Sequence, residues 1–280
     1  MSITYFGTGK AGEVVLSGLK RCPNFDIKAI YSAKPQSWND IKKALTDQKS
    51  EAAIVCNYGA IIPEEVLAIP KFGFWNVHYS LLPKYRGATP VQSAILAGDT
   101  KSGVTIIQMV KKLDEGDVLI QQVVPLKPDE TASEMIERYS YIAVALIDKW
   151  LPKFVSGKAK LTKQEGTPSY CYKSLMKREN ARINWADSAD KIYRMIRAFE
   201  PDPCAWSEFN GKELKIVRAK LSKATLVNDK PGTMMASESK VYIATKDQPI
   251  EMLEVSLAGK GRMSAISFAS GYLKTPILLT

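Results

Sequence analysis

Short β-rich apolar runs alternate with helix-period patterns along the first 125 residues of the chain. That alternation is the mark of an α/β domain with a largely parallel sheet. Strands are predicted over Ile3–Phe6, Ile27–Tyr31, Ala52–Val55, Phe74–His78, Val104–Val110 and Asp117–Val124. Helical patterns fall between them, around Gly12–Lys20, Ser37–Gln48, Pro63–Ala68 and Pro90–Ala97. A long helix is predicted from Thr131, where Glu134 completes a capping-box signature. Its apolar positions, Met135, Ile136, Tyr139, Ile142, Ala143, Leu146, Ile147, Trp150, Leu151 and Phe154, recur at helical spacing and read as a core stripe rather than a cofactor box.

The periodicity stops after Phe154. From Ser156 to Tyr172 the chain is polar, with Lys, Gly and Pro, and reads as an interdomain linker. A further helix over Ser188–Phe199 is stopped by Pro201 and Pro203. Short alternating strands follow. Asn210-Gly211 joins Ala205–Phe209 to Glu213–Val217 as a hairpin, and runs near Gly232–Met235, Lys240–Ala244 and Ile250–Val255 complete a small barrel-like domain. The expected organisation is an α/β domain over 1–160, a basic linker over 161–182 and a C-terminal β-barrel domain over 183–280.

Composition narrows the class. The 280 residues are 45% hydrophobic and 24% charged, a length for about two domains whose cores need neither disulfide nor metal. No apolar run approaches the roughly 18 residues of a membrane helix. The N-terminus enters a strand without a signal-peptide pattern, so the expected location is cytoplasmic. Cys22, Cys56, Cys171 and Cys204 form no C-x-x-C pair, which argues against a zinc ribbon and a thioredoxin-like motif. The single histidine, His78, rules out multi-histidine metal sites, and no metal is expected. Net charge is +10. Lys149, Lys153, Lys158, Lys160, Lys163, Lys173, Lys177, Arg178 and Arg182 stand against only Glu165 and Glu179 in their stretch. That stretch is either a solvated helix end and linker or a track for a phosphate backbone.

Three motifs bear on chemistry. Gly7-Thr8-Gly9-Lys10-Ala11-Gly12 fits G-x-G-x-x-G between a strand and a helix. The second strand, however, ends Ala29-Ile30-Tyr31-Ser32-Ala33, without the carboxylate that a dinucleotide site needs. The glycines therefore read as a tight strand-to-helix turn before they read as a nucleotide site. Asn76-Val77-His78 closes a strand, so Asn76 and His78 project to one face. An amide N–H donor beside an imidazole at the carboxyl end of a strand suits a reaction that builds charge on a carbonyl oxygen. Leu113-Asp114-Glu115-Gly116-Asp117 is a turn. Its acidic residues either serve the turn itself or supply a carboxylate that reaches the histidine.

Asn76–Pro90 (NVHYSLLPKYRGATP) and Gly103–Gln121 (GVTIIQMVKKLDEGDVLIQ) together resemble the folate-dependent formyltransferases. Asn57–Pro63 is similar to that family's folate-binding loop, and Ser188–Phe199 to the segment opening its second domain. Ala258–Ala265 is similar to a C-terminal stretch of the branch acting on tRNA. The resemblance implies a Rossmann-like formyltransferase domain followed by an OB-like β-barrel domain that binds tRNA. It makes Asn76, His78 and Asp114 the catalytic trio, with Asn76 and His78 holding the oxyanion and Asp114 orienting His78 and assisting proton transfer. Tyr58, Gly59, Ala60, Ile61, Ile62, Ser80, Leu81, Leu82, Pro83 and Asp114 become folate-binding residues, with Lys84 and Arg86 placed to meet phosphate or the folate tail. The donor implied is 10-formyltetrahydrofolate, and the acceptor is the α-amine of methionyl-initiator-tRNA. A monomer with no membrane partner is expected. One departure stands out: between Ile30 and Asp40 the chain runs only Tyr31–Asn39, where the tRNA-acting branch has a longer basic insertion. An acceptor that is a nucleotide-linked amino sugar is the alternative. A dinucleotide-dependent oxidoreductase would rest on Gly7–Gly12 alone, and a non-catalytic RNA-binding module would leave the trio without a use.

Overall fold

β1 (Ser2–Gly7) is buried at nearly every position, as a strand covered on both faces must be. It opens a unit that continues through α1 (Gly9–Leu19), β2 (Asp26–Tyr31), α2 (Trp38–Asp47), β3 (Ala52–Cys56), α3 (Glu64–Leu67), β4 (Phe74–His78) and β5 (Arg86–Gly87). After α4 (Pro90–Ala97) come β6 (Lys101–Gln108), β7 (Val118–Pro125), α5 (Ala132–Val155) and β8 (Tyr170–Cys171). The computed structural model describes residues 1–223, 230–237 and 239–280. These fall into two units: Met1–Val91 with Thr100–Leu126 and Glu134–Tyr172, and Gln92–Asp99 with Lys127–Ser133 and Lys173–Thr280.

The sheet of the first unit has the order β2-β1-β3-β4-β6-β7. The pairings from β2 to β4 are parallel, and β6 then runs antiparallel to β4 and to β7. The expected parallel sheet thus ends in an antiparallel pair, and β4, which bears the Asn-x-His motif, lies where the direction changes. Phe6, Ile41, Leu45, Val55, Ile62, Val66 and Phe74 form one core cluster of this unit. Phe6 stacks on Tyr31 with centroids 4.9 Å apart. On α5, Met135, Tyr139, Ala143, Leu146, Ile147 and Leu151 are buried, as the periodicity predicts, and Phe154 packs edge-on to Trp75.

The stretch read as a linker is, up to Tyr172, part of the first unit. Thr162 exchanges backbone hydrogen bonds with Val118 at 2.8 and 2.9 Å, and β8 pairs with β5. Such pairing is made by main-chain groups, so a polar segment without periodicity gives no sign of it.

The second unit contains α6 (Ala189–Phe199), β9 (Trp206–Phe209), β10 (Lys212–Leu221), β11 (Thr233–Ser237), β12 (Lys240–Ile243), β13 (Ile250–Leu257), β14 (Arg262–Ser264), α7 (Ala265–Tyr272) and β15 (Ile277–Leu278). Its strands are antiparallel in the order β15-β11-β12-β13-β10-β9, with β14 on β13. Glu208 of β9 and Thr280 just past β15 bond to each other through both main-chain groups, at 2.8 and 3.2 Å. That contact brings the row of strands round on itself, giving the expected barrel. Asn210 and Gly211 both have positive φ, the conformation a tight hairpin turn demands. α7 was not predicted. It is one short helix, capped by Ser264 and anchored by the buried Phe268 against Phe209, too brief for a periodic signal.

α6 has two N-terminal caps. Ser188 Oγ accepts from Lys191 N at 3.3 Å, and Asp247 Oδ1 accepts from Ala189 N at 2.8 Å. The Ala189 N–H, with help from the Thr245 hydroxyl and the Gln248 N–H, holds the Asp247 carboxyl below its ordinary range. A depressed folded value means the stabilisation is present above the unfolded value near ~3.9 and is lost as pH falls through the folded one. Asp247→Ala should therefore cost about 1 kcal/mol at neutral pH, no more because the carboxylate is exposed and screened. Urea denaturation at neutral pH and at about pH 3 checks this: the difference between variant and parent should narrow in acid.

Candidate active site

β4 delivers two of the expected residues. Asn76 lies between Val55 and Ile107 in register and His78 opposite Thr105, and the intervening Val77 is buried. Beyond His78 the chain leaves the sheet in a pinned turn. The Ser80 hydroxyl donates to Lys84 O at 2.5 Å, Thr105 Oγ1 donates to Ser80 O at 2.6 Å, and Gln121 Nε2 donates to Leu82 O at 2.9 Å. This turn brings Tyr85, Arg86 and Gly87 back beside the histidine.

Asp114 comes from the turn between β6 and β7, with φ +54°. Its Oδ1 accepts from Asn76 Nδ2 at 3.1 Å, and its Oδ2 accepts from Gly87 N at 2.8 Å. The same Oδ2 stands 3.6 Å from His78 Nδ1. His78 Nε2 lies 2.8 Å from Tyr85 O. A carbonyl oxygen only accepts, so Nε2 bears the ring hydrogen in the neutral form, and a second proton enters at Nδ1, facing the carboxylate. His78 and Asp114 are buried, 4% and 6% exposed, while Asn76 is half-buried. The structure thus gathers Asn76, His78 and Asp114. Of the turn's three acidic residues it is Asp114 that reaches the histidine. Glu115 pairs with Arg86 and Lys112, and Asp117 with Lys163.

Two glycines make this closure possible. A Cβ on Gly87, at φ +119°, would lie 2.1 Å from Cys171 O. A Cβ on Gly116 would lie 1.6 Å from Gln108 O.

The other expected residues divide. After β3, Tyr58 donates its hydroxyl to Ala33 O and packs edge-on to Phe6, while Ile62 is buried in the core cluster. Gly59 is exposed, Ala60 half-buried, and Ile61 is 89% exposed. Ser80, Leu82 and Pro83 are buried and Leu81 half-buried. Sequence reasoning missed the exposed apolar pair Val110 and Leu113 on the β6–β7 turn, which Lys111 ties to Glu64 of α3 through a 3.3 Å ion pair. The strand expected to run to Val110 ends at Gln108, so only Leu113 stood in the sequence as an apolar residue inside a turn.

Arg86 is turned inward. Its Nε and Nη2 donate to Gln164 Oε1 at 3.2 and 2.8 Å, and its Nη1 pairs with Glu115 at 3.2 Å. The guanidinium expected to meet phosphate or a folate tail is thus engaged within the protein. Lys84 is exposed, 4.8 Å over the Tyr85 ring. Gln164 is a second miss, because it lies in the aperiodic polar run, where only the fold shows its neighbours.

The G-x-G-x-x-G turn is occupied by packing. Thr8 Oγ1 donates to Asn57 O, Asn57 Nδ2 donates to Thr8 O at 3.1 Å, and a Cβ on Gly12 would come within 2.8 Å of Gly7 C. Burial pushes the Cys56 and Cys204 thiols up to about 11, so neither is a thiolate at neutral pH. In the basic run, Lys149 and Lys153 approach the Trp150 ring, and Arg178 and Arg182 lie over Trp206. Among the described residues no group of three or more His, Cys, Asp and Glu is placed to hold a metal ion, and no helix is long and apolar enough to cross a membrane.

A family model described as "Formyl transferase" matches residues 13–149, and one described as "Formyl transferase, C-terminal domain" matches residues 175–273. The methionyl-tRNA formyltransferase of Staphylococcus aureus (strain MW2) is 33% identical over 248 residues, 88% of this chain and 79% of that protein. Among solved structures, HypX from Aquifex aeolicus in complex with tetrahydrofolic acid gives a TM-score of 0.76 at 20% identity over 97% of this chain. The chain spans about half of that longer protein, 47% of its length. The N-formyltransferase of Helicobacter canadensis, in complex with folinic acid and dTDP-3-aminofucose, gives 0.69 at 20% identity over 89% of this chain and 98% of that one. At such identities the two structures speak for the fold alone.

Proposed function

The chain belongs to the formyl transferase family, and from that membership we propose that it transfers the formyl group of 10-formyltetrahydrofolate to the α-amine of methionine carried on initiator tRNA. The observation that carries the reading is the Asn76–Asp114–His78 cluster at the end of β4. A carboxamide has two N–H bonds. Asn76 gives one to Asp114, and in this reading the second meets the oxygen of the formyl group as charge grows there. His78 Nδ1, facing the Asp114 carboxylate, takes the proton that leaves the attacking amine. From there the proton passes to the departing nitrogen, directly or through water, as one C–N bond forms and the other breaks. Tyr85 O holds the opposite ring nitrogen and so fixes which one works.

Folate supplies an activated formyl carbon and a flat heterocycle. The chain's residues suit such a ring: exposed Ile61, Val110 and Leu113 offer apolar surface on the loops that follow β3 and β6. Residues 58–62 and 80–83 remain the proposed folate-binding residues. The buried Ser80, Leu82 and Ile62 act by shaping the loops, with Ile61 and Gly59 as the exposed contacts.

Support for tRNA as acceptor comes from the named relatives and from the basic residues at 149–182. The amino-sugar reading draws on one observation, the short connection Ser32–Ser37 between β2 and α2. Salt separates the two. A tRNA contact releases counterions, so KM for methionyl-tRNA should rise roughly tenfold or more between about 50 and 200 mM salt. A nucleotide-linked amino sugar would show little slope. Formylation of the sugar nucleotide with no turnover of methionyl-tRNA would reverse the assignment.

A further inference from the structure

The geometry points to Gln164 as a positioning residue for Asp114, a role that rests on the reading of Asp114 as the site's carboxylate. Every hydrogen-bonding atom of its amide is used. Nε2 donates to Asp114 O at 2.7 Å and to Gly116 O at 2.8 Å, and Oε1 accepts from Arg86 Nε and Nη2. Arg86 also pairs with Glu115, the residue between those two carbonyls. Its chain neighbour Gly87 donates its N–H to the Asp114 carboxylate. Asp114 is therefore gripped at both ends: Gly87 holds the side chain, and Gln164 holds the main chain. The grip is needed because Asp114 sits at φ +54°. A non-glycine residue keeps that conformation only where its surroundings over-determine it.

The arrangement follows from chain topology. β8 pairs with β5 at Arg86↔Tyr170, and the Thr162–Val118 bonds fix the other end of the segment, leaving Gln164 beside the turn. Residues 162–171 thus form a strap across the Asp114 turn whose one side-chain amide bonds two of the turn's carbonyls, those of Asp114 and Gly116. Without it the turn's main chain loosens, and only the side-chain bonds from Gly87 and Asn76 keep the carboxylate beside His78.

Two substitutions separate positioning from filling. Gln164→Met keeps the length and the apolar stem but loses every hydrogen bond. Gln164→Glu keeps the acceptor for Arg86 and sets a carboxylate against two carbonyls. Both should lower kcat roughly 10- to 100-fold, with KM for either substrate changing less, and the Glu variant should be the worse. A substrate-free readout exists because His78 is the chain's sole histidine. Protein labelled with ¹⁵N-histidine gives one imidazole, whose two nitrogen signals report the tautomer and the carboxylate beside Nδ1. Both variants should shift or broaden that signal. A Met variant with parental kcat and an unchanged imidazole spectrum would overturn the role. If the parent protein transfers no formyl group, the proposed reaction fails, yet the imidazole spectra still decide whether Gln164 holds Asp114.

Discussion

Asp114→Asn is expected to lower the rate of formyl transfer by roughly 10²–10⁴-fold while the protein stays folded. Donors converge on this carboxylate: Asn76 Nδ2 on one oxygen, Gly87 N on the other, and His78 Nδ1 close by once the ring is protonated. A carboxylate can accept from all of them, whereas a carboxamide has only one accepting atom. Whichever way the substituted side chain turned, its NH₂ group would face a donor, and the charge that steadies a protonated ring would be gone. Asn76→Ala should cost less, roughly 10²-fold, because it removes one donor and leaves the His78–Asp114 pair. Steady-state rates with circular dichroism as a control for folding check both. A rate near the parent's in either variant would remove that residue from the proposed chemistry.

Gly87→Ala is expected to have the second-largest effect, on stability and rate together. At φ +119°, with Cys171 O only 2.1 Å from the new methyl group, the β5–β8 pair cannot close as it stands. Opening it pulls the Gly87 N–H off Asp114 and Tyr85 O off His78. The cost should exceed about 2 kcal/mol, with a rate loss of about 10²-fold or more. Gly211→Ala is the matched control. Gly211, in the hairpin between β9 and β10, also has positive φ, but nothing lies within 4 Å of its added methyl, so it should lose only about 1 kcal/mol and keep its rate. Urea midpoints and turnover of the two proteins, measured side by side, separate the clash from the backbone preference.

Much of this was legible in the sequence, and the boundary falls along a physical line. Strands such as β3 and β4 announced themselves as short runs buried on both faces, and the helix α5 by the period that burial of one face imposes on its side chains. Asn76 and His78 were placed on one face by strand alternation alone. The choice of Asp114 over Glu115 and Asp117 came from the family resemblance alone, since three acidic residues in five turn positions look alike to periodicity and spacing. β8, Gln164 and the inward turn of Arg86 were invisible for another reason. They depend on main-chain pairing and on contacts between residues far apart in the chain, which leave no periodic trace. The same holds for the two-directional sheet: an apolar run does not say which way it points.

The most direct test is transfer of an isotopically labelled formyl group. The protein would be incubated with [¹³C]10-formyltetrahydrofolate and methionyl-initiator-tRNA, and the amino acid released from the tRNA examined by mass spectrometry. Labelled N-formylmethionine is expected from the parent protein, and its loss in Asp114→Asn. Unmodified methionine from the parent protein, or equal labelling by the two proteins, would contradict the proposed chemistry.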